Sequence, residues 1–156
     1  MKKWLFCILV LAAVPVLSYG GFGGEDVGEL SPVQVVMLRS DREGVRLLTD
    51  TEAVGVGPNP RKAVENMEET TEKRVFLDTA DYLLLEPGTE HWLPQLVQYL
   101  RPSCNLCYVG GELKLERAGE YLQLHQPKLT LTQYEAGKRR LAYLISDEGR
   151  LKLVQP

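Results

Sequence analysis

The chain has 156 residues, 44% of them hydrophobic and 25% charged, with a formal net charge of −3. That size and apolar content support one domain with a real core and exclude a wholly disordered chain. The mildly acidic balance excludes a general nucleic-acid binder, which needs a basic face to release counterions from phosphates.

Lys2 and Lys3 precede an apolar run over residues 4–17, and Ser18 and Gly20 follow. A basic start, a short apolar middle and a small-residue exit form a secretory signal. The run is shorter than the ~20 apolar residues of a spanning helix, and Pro15 interrupts it. The competing reading is an uncleaved membrane anchor. Cleavage after Ser18 or Gly20 leaves a glycine-rich acidic tether over 19–31 and a single domain over 32–156. It also removes Lys2, Lys3 and Cys7, so the mature chain is more acidic and keeps only Cys104 and Cys107. Cys7 lacks the small-residue context of a lipid-attachment site. The expected address is extracytoplasmic, in the cell envelope.

Residues 33–38 (VQVVML) are rich in β-branched side chains and predict a strand. Residues 40–44 (SDREG) predict a turn, with Gly44 able to take a positive φ. Residues 45–51 return as a second strand, so 33–52 reads as a β-hairpin. Residues 55–60 (GVGPNP) break the chain. Asn59 then caps a helix with Pro60 at its first position, and Ala63, Val64 and Met67 share its inner face to about Thr71. A glycine-rich loop before a helix invites a phosphate-binding reading, with Arg61 and Lys62 drawing an anion. The segment GVGPNPRKA lacks both the GK[ST] ending and the GxGxxG spacing, so a linker into a capped helix is expected.

Residues 74–77 and 81–85 form an apolar block, and the second piece reads as a strand buried on both faces. Pro87, Gly88 and Thr89 turn the chain into a helix through Trp92, Leu93, Leu96, Val97 and Leu100, which Pro102 stops. In the last third, short alternating runs at 113–116, 121–125, 129–133, 141–145 and 150–154 predict an antiparallel meander.

Three groups of residues are candidates for chemistry or binding. Cys104 and Cys107 form one CxxC, which is half of a zinc ribbon and has no second pair, and His91 and His125 are isolated, so no metal or other cofactor is expected. The pair is a candidate redox centre or structural disulfide, because exported thiols meet an oxidising compartment. Set against this, a strand would point the two thiols to opposite faces as unpaired core residues. Asp78, Asp81 and His91 could do acid–base work in a small-molecule-binding or hydrolytic domain, whereas carboxylates at strand ends more often cap and solvate. Lys138, Arg139 and Arg140 follow Gly137 in a hairpin loop and could meet an anion, an acidic partner or phospholipid head groups. A solvated loop is the plainer reading.

The central order resembles the N-terminal domain of the Ger(x)C-type spore germination proteins, the C-subunits of nutrient germinant receptors. The residues that carry it are the opening strand pair, the loop and helix GPNPRKAVENM (57–67), the strand region RVFLDTADYLLLE (74–86) and the helix LPQLVQYLR (93–101). The match covers roughly residues 33–110. This chain departs from the family in its length, in having no lipobox cysteine after the signal, and in having Asp78 or Thr79 where the family has a histidine. The resemblance implies a related fold, a place outside the cytoplasmic membrane of a Gram-positive spore former, and action through contacts. It implies no catalytic residue.

The sequence therefore predicts an α+β fold, a mixed or antiparallel sheet with two helices on one face and a C-terminal antiparallel meander. It predicts an exported, non-enzymatic domain with a protein partner, related to germination or sporulation and docking at an edge strand of the meander. The rivals are a thiol–disulfide protein using Cys104 and Cys107, and a hydrolytic or small-molecule-binding domain using Asp78, Asp81 and His91. No nucleic acid or metal is expected. A membrane surface is reachable through an uncleaved signal or through Lys138, Arg139 and Arg140.

Overall fold

A computed structural model describes residues 30–147 and 149–156. The signal segment and most of the tether lie outside the described residues. Chain order is β1 (Leu30–Pro32), β2 (Val35–Asp41), β3 (Gly44–Thr49), β4 (Val54–Gly57), α1 (Pro60–Thr70), β5 (Arg74–Phe76), β6 (Tyr82–Leu85), α2 (Leu93–Leu96), β7 (Asn105–Gly110), α3 (Leu115–Leu124), α4 (Leu131–Glu135), β8 (Ala142–Asp147) and β9 (Arg150–Val154). Short 3₁₀ turns at Glu90–Trp92 and Val97–Tyr99 extend α2 at both ends.

Seven strands form one mixed sheet in the order β4-β3-β2-β6-β7-β8-β9. The four central strands run parallel, β2 beside β6, β6 beside β7 and β7 beside β8. Antiparallel strands flank them on both sides. The fold class is α+β. The β2–β3 hairpin pairs Asp41 with Gly44, whose φ is +137°, so the turn forms where the glycine allows it. All four residues of β6 are buried, as a central strand covered on both faces requires. Helix α1 starts as the sequence predicts, with the Asn59 side chain accepting from the Lys62 N–H at 3.0 Å and Pro60 in the first turn.

Alternation along the strands divides the core into two layers. Val36, Leu38, Leu83, Leu85 and Leu106 face α1 and α2 on one side. Val35, Met37, Tyr82, Leu84, Cys107, Val109 and Leu144 face α3 on the other. We call these the α1 face and the α3 face. α1 and α2 share one face as expected; the unexpected α4 joins that face through Leu131, and α3, also unexpected, covers the opposite one.

Several expectations are corrected. Residues 113–116, 121–125 and 129–133 are not strands. Residues 115–124 form α3, which buries Ala118, Gly119 and Leu122 against the sheet, and residues 131–135 form α4. The meander reduces to the β8–β9 hairpin. Residues 54–57 are a strand rather than a break, and Leu30–Pro32 pairs in parallel with Arg74–Phe76, so the domain begins within the expected tether. Both pairings are set by partners far away in sequence, which local pattern does not report.

Candidate functional site

The CxxC does not form a paired site. Cys104 lies just before β7 and Cys107 within it, and the two thiols belong to the separate core layers of the α1 and α3 faces. Both are free and buried. Burial pushes each thiol up to about 12, so neither offers a thiolate near neutrality. Alternation along the strand separates them, and a disulfide has no geometry here.

Asp78, Asp81 and His91 are not brought together either. Asp78 is exposed within a 3₁₀ turn, and Asp81 sits at the start of β6, where its carboxylate pairs with Arg101. His91 lies beyond the far end of β6, with its Nδ1 2.9 Å from the Gly88 carbonyl oxygen. A strand rises about 3.3 Å per residue, so the length of β6 alone holds the histidine more than ~10 Å from Asp81. Arg61 and Lys62, the candidate anion ligands in the first turn of α1, both pair with Glu65 of the same helix.

Lys138, Arg139 and Arg140 are arranged differently. They line a cleft of about 490 Å³ together with Lys128, Leu129, Gln133, Ala142 and Gln155. The cleft lies where β8 begins and β9 ends. Two segments build one wall. Lys128 and Leu129 arrive after α3, and Leu129 is anchored in the α1-face core. Gln133 stands on α4, whose Thr130 cap and Gln133 form a reciprocal capping box. The basic run follows the turn at Gly137, which has φ +98°. Arg139 is held in place, its guanidinium lying 4.1 Å from the Tyr134 ring centroid and donating to the Tyr134 carbonyl. No carboxylate pairs with Lys128, Lys138 or Arg140 among the described residues, and Pro156 but no Asp or Glu side chain completes the lining. The basic run is legible in the sequence, whereas Lys128 and Gln133 join it only through the fold.

Ala142 and Gln155 of the cleft adjoin Tyr143 and Val154, which pair across the hairpin. With Ile145 they form a row on the α1 face of β8–β9, beyond the reach of α1 and α2. Exposures are 41% for Tyr143, 39% for Ile145 and 40% for Val154. Half-buried Tyr108 of β7 extends the row, its ring centroid 4.8 Å from that of Tyr143. Its hydroxyl interacts with Glu90. Burial pushes the Tyr108 phenol up, and the bond to Glu90 adds to the rise. For Glu90, burial raises the pKa, but the bonds from the Tyr108 hydroxyl and the Gly88 N–H prevail and lower it.

The opposite face of the hairpin is fastened to α3. Leu153 N–H donates to the Tyr121 hydroxyl at 3.1 Å, and Arg117 donates to the Gly149 carbonyl at 3.3 Å. The hairpin is thus held from one side and bare on the other. Among the described residues no helix is long and apolar enough to cross a membrane, and no group of three or more His, Cys, Asp or Glu is placed to hold a metal ion. Comparison with protein-family models, curated proteins and solved structures finds no match.

Proposed function

We propose that the chain is an exported domain that acts by binding a partner protein in the cell envelope, without catalysis, through the bare face of β8–β9. The observation that carries this reading is the row of Tyr143, Ile145 and Val154. Single exposed apolar residues are ordinary, but a contiguous row beside a half-buried tyrosine, on a sheet face left open by the helices, is a recognition surface. Aromatic side chains contribute disproportionately to interface energy, which makes Tyr143 the natural anchor.

Docking uses the face of the hairpin rather than its edge. Addition of a partner strand to β9 needs the outward N–H groups, and Tyr121 already holds that of Leu153. Arg150 and Lys152 on the same strand further disfavour edge pairing, as charged residues do on protected edges. The export part of the reading rests on Lys2, Lys3, the apolar run over 4–17 and the small-residue exit. The link to germination or sporulation rests on the pattern over residues 33–110.

The test is retention of envelope proteins by the immobilised full chain and by Tyr143→Ser/Ile145→Ser. A band held by the parent chain and lost with the folded double variant supports the surface. Equal retention by both would remove it.

A further inference from the structure

We infer that the basic cleft beside this row selects an acidic, extended segment of the partner, whose carboxylates enter the cleft while its alternate apolar side chains lie on Tyr143, Ile145 and Val154. The inference rests on the docking reading above and deepens it by assigning the chemistry of the partner.

The charge pattern argues for an anionic ligand. Lys128, Lys138, Arg139 and Arg140 line one concave space, and no Asp or Glu side chain lines it with them. Five cations elsewhere on the surface are paired with carboxylates. Arg39 pairs with Glu86, Arg46 with Asp41, Arg61 and Lys62 with Glu65, and Arg101 with Asp81. In a chain with a net negative charge, a cluster of uncompensated cations raises the local concentration of acidic groups and fixes their orientation. The packing of Arg139 on Tyr134 preorganises one of these cations, which reduces the ordering cost of binding.

Shape argues for a peptide segment over a membrane. The four cations are exposed but converge on one cleft of about 490 Å³, where a single segment can enter and meet several of them at once, and vesicle binding is the competing outcome of the test. Continuity argues for a segment over a free small anion. The cleft lies at the end of the hairpin that carries the apolar row, with Ala142 next to Tyr143 and Gln155 next to Val154 along the chain, although Ala142 itself faces α3. An extended chain with side chains alternating at period two can satisfy both surfaces at once.

The experiment titrates the full chain with a synthetic peptide alternating glutamate and valine, and with the same peptide carrying lysine for glutamate. Inorganic pyrophosphate and vesicles containing phosphatidylglycerol complete the panel. The glutamate peptide should bind, weaken with added salt, and lose affinity about tenfold or more in Lys138→Glu/Arg140→Glu, as expected when close charge pairs reverse sign. Lys138→Gln/Arg140→Gln should show an intermediate loss, and circular dichroism confirms that both variants fold. Pyrophosphate binding at these residues without peptide binding would overturn the assignment in favour of a small-anion site. Vesicle binding without peptide binding would overturn it in favour of a membrane surface. Binding of no anionic probe would overturn it outright. If Lys138→Glu/Arg140→Glu keeps the envelope partner while Tyr143→Ser/Ile145→Ser loses it, the docking surface stands and the acidic-segment inference fails.

Discussion

At one edge of the sheet, β4 lies so close beneath α1 that a methyl group added at Gly55 would stand 2.0 Å from the Ala63 carbonyl oxygen, and the Val56 N–H donates to the Asn66 side chain at 3.0 Å. At the other edge, β9 is fastened to α3 from one side and presents an apolar row on the other. Both edges carry exposed apolar residues, Val54 at 41% and Ile145 at 39%. What differs is the setting. Val54 opens β4 on the face away from α1, opposite Leu48, while Gly55 and Gly57 pack under the helix. Ile145 stands among Tyr143, Val154 and a cluster of unneutralised cations. Exposure alone therefore does not mark a binding surface, whereas continuity with neighbouring apolar and charged groups does.

The largest expected effect is on the closed edge. Gly55→Ala places its Cβ against helix backbone, which cannot yield as a side chain does, so the variant should lose about 3 kcal/mol or more in urea denaturation. A loss below about 1 kcal/mol would show that α1 does not seal this edge. Asn66→Ala leaves the Val56 N–H without its partner and should cost about 1–2 kcal/mol by the same measurement. On the open edge, Tyr143→Ser/Ile145→Ser should change stability by no more than about 1 kcal/mol, because its side chains are already substantially in water. A loss as large as that of Gly55→Ala would mean that the row is core, and the contrast between the edges would collapse.

Two smaller effects concern groups between the edges. Cys104 and Cys107 should resist alkylation at mildly alkaline pH in the native chain and react fully in denaturant, since burial pushes both thiols up to about 12. Rapid native alkylation of either would reopen a redox role. Glu90 has a lowered folded-state pKa, so its contribution to stability is present above the ordinary carboxylate value and is lost as pH falls through the lower folded value. Glu90→Gln should flatten the acid limb of the stability profile. An unchanged limb would show that the Tyr108–Glu90 bond does not form.

Local signals made much of this fold legible. The β2–β3 turn follows from Gly44, the start of α1 from Asn59 and Pro60, and the buried β6 from its unbroken apolar run. The final hairpin follows from the turn ending at Gly149, whose φ is +76°. α3 stands where strands are expected because Ala118–Gly119 resembles a turn in sequence. In the fold Gly119 is a contact point, where a Cβ would come within 2.9 Å of the Gln34 side chain and 3.1 Å of Val35. Two signals pointed the right way. Leu115, Ala118 and Leu122 have helical spacing, and Thr130 with Gln133 spells the capping box of α4. The parallel order of the central strands could not be read, because each pairing joins segments separated by a crossover. The cleft was half legible for the same reason. Its basic run is contiguous, but Lys128 and Gln133 come from other segments and acquire meaning only once folded.

Site-specific photo-crosslinking in the native envelope tests the central claim most directly. A photoreactive residue placed at Ile145 should yield a discrete crosslinked partner, and the same residue at Val54, equally exposed on the closed edge, should yield none. A discrete crosslink at Val54 with none at Ile145 would contradict the account, because the partner would then dock at the opposite edge of the sheet from the row of Tyr143, Ile145 and Val154.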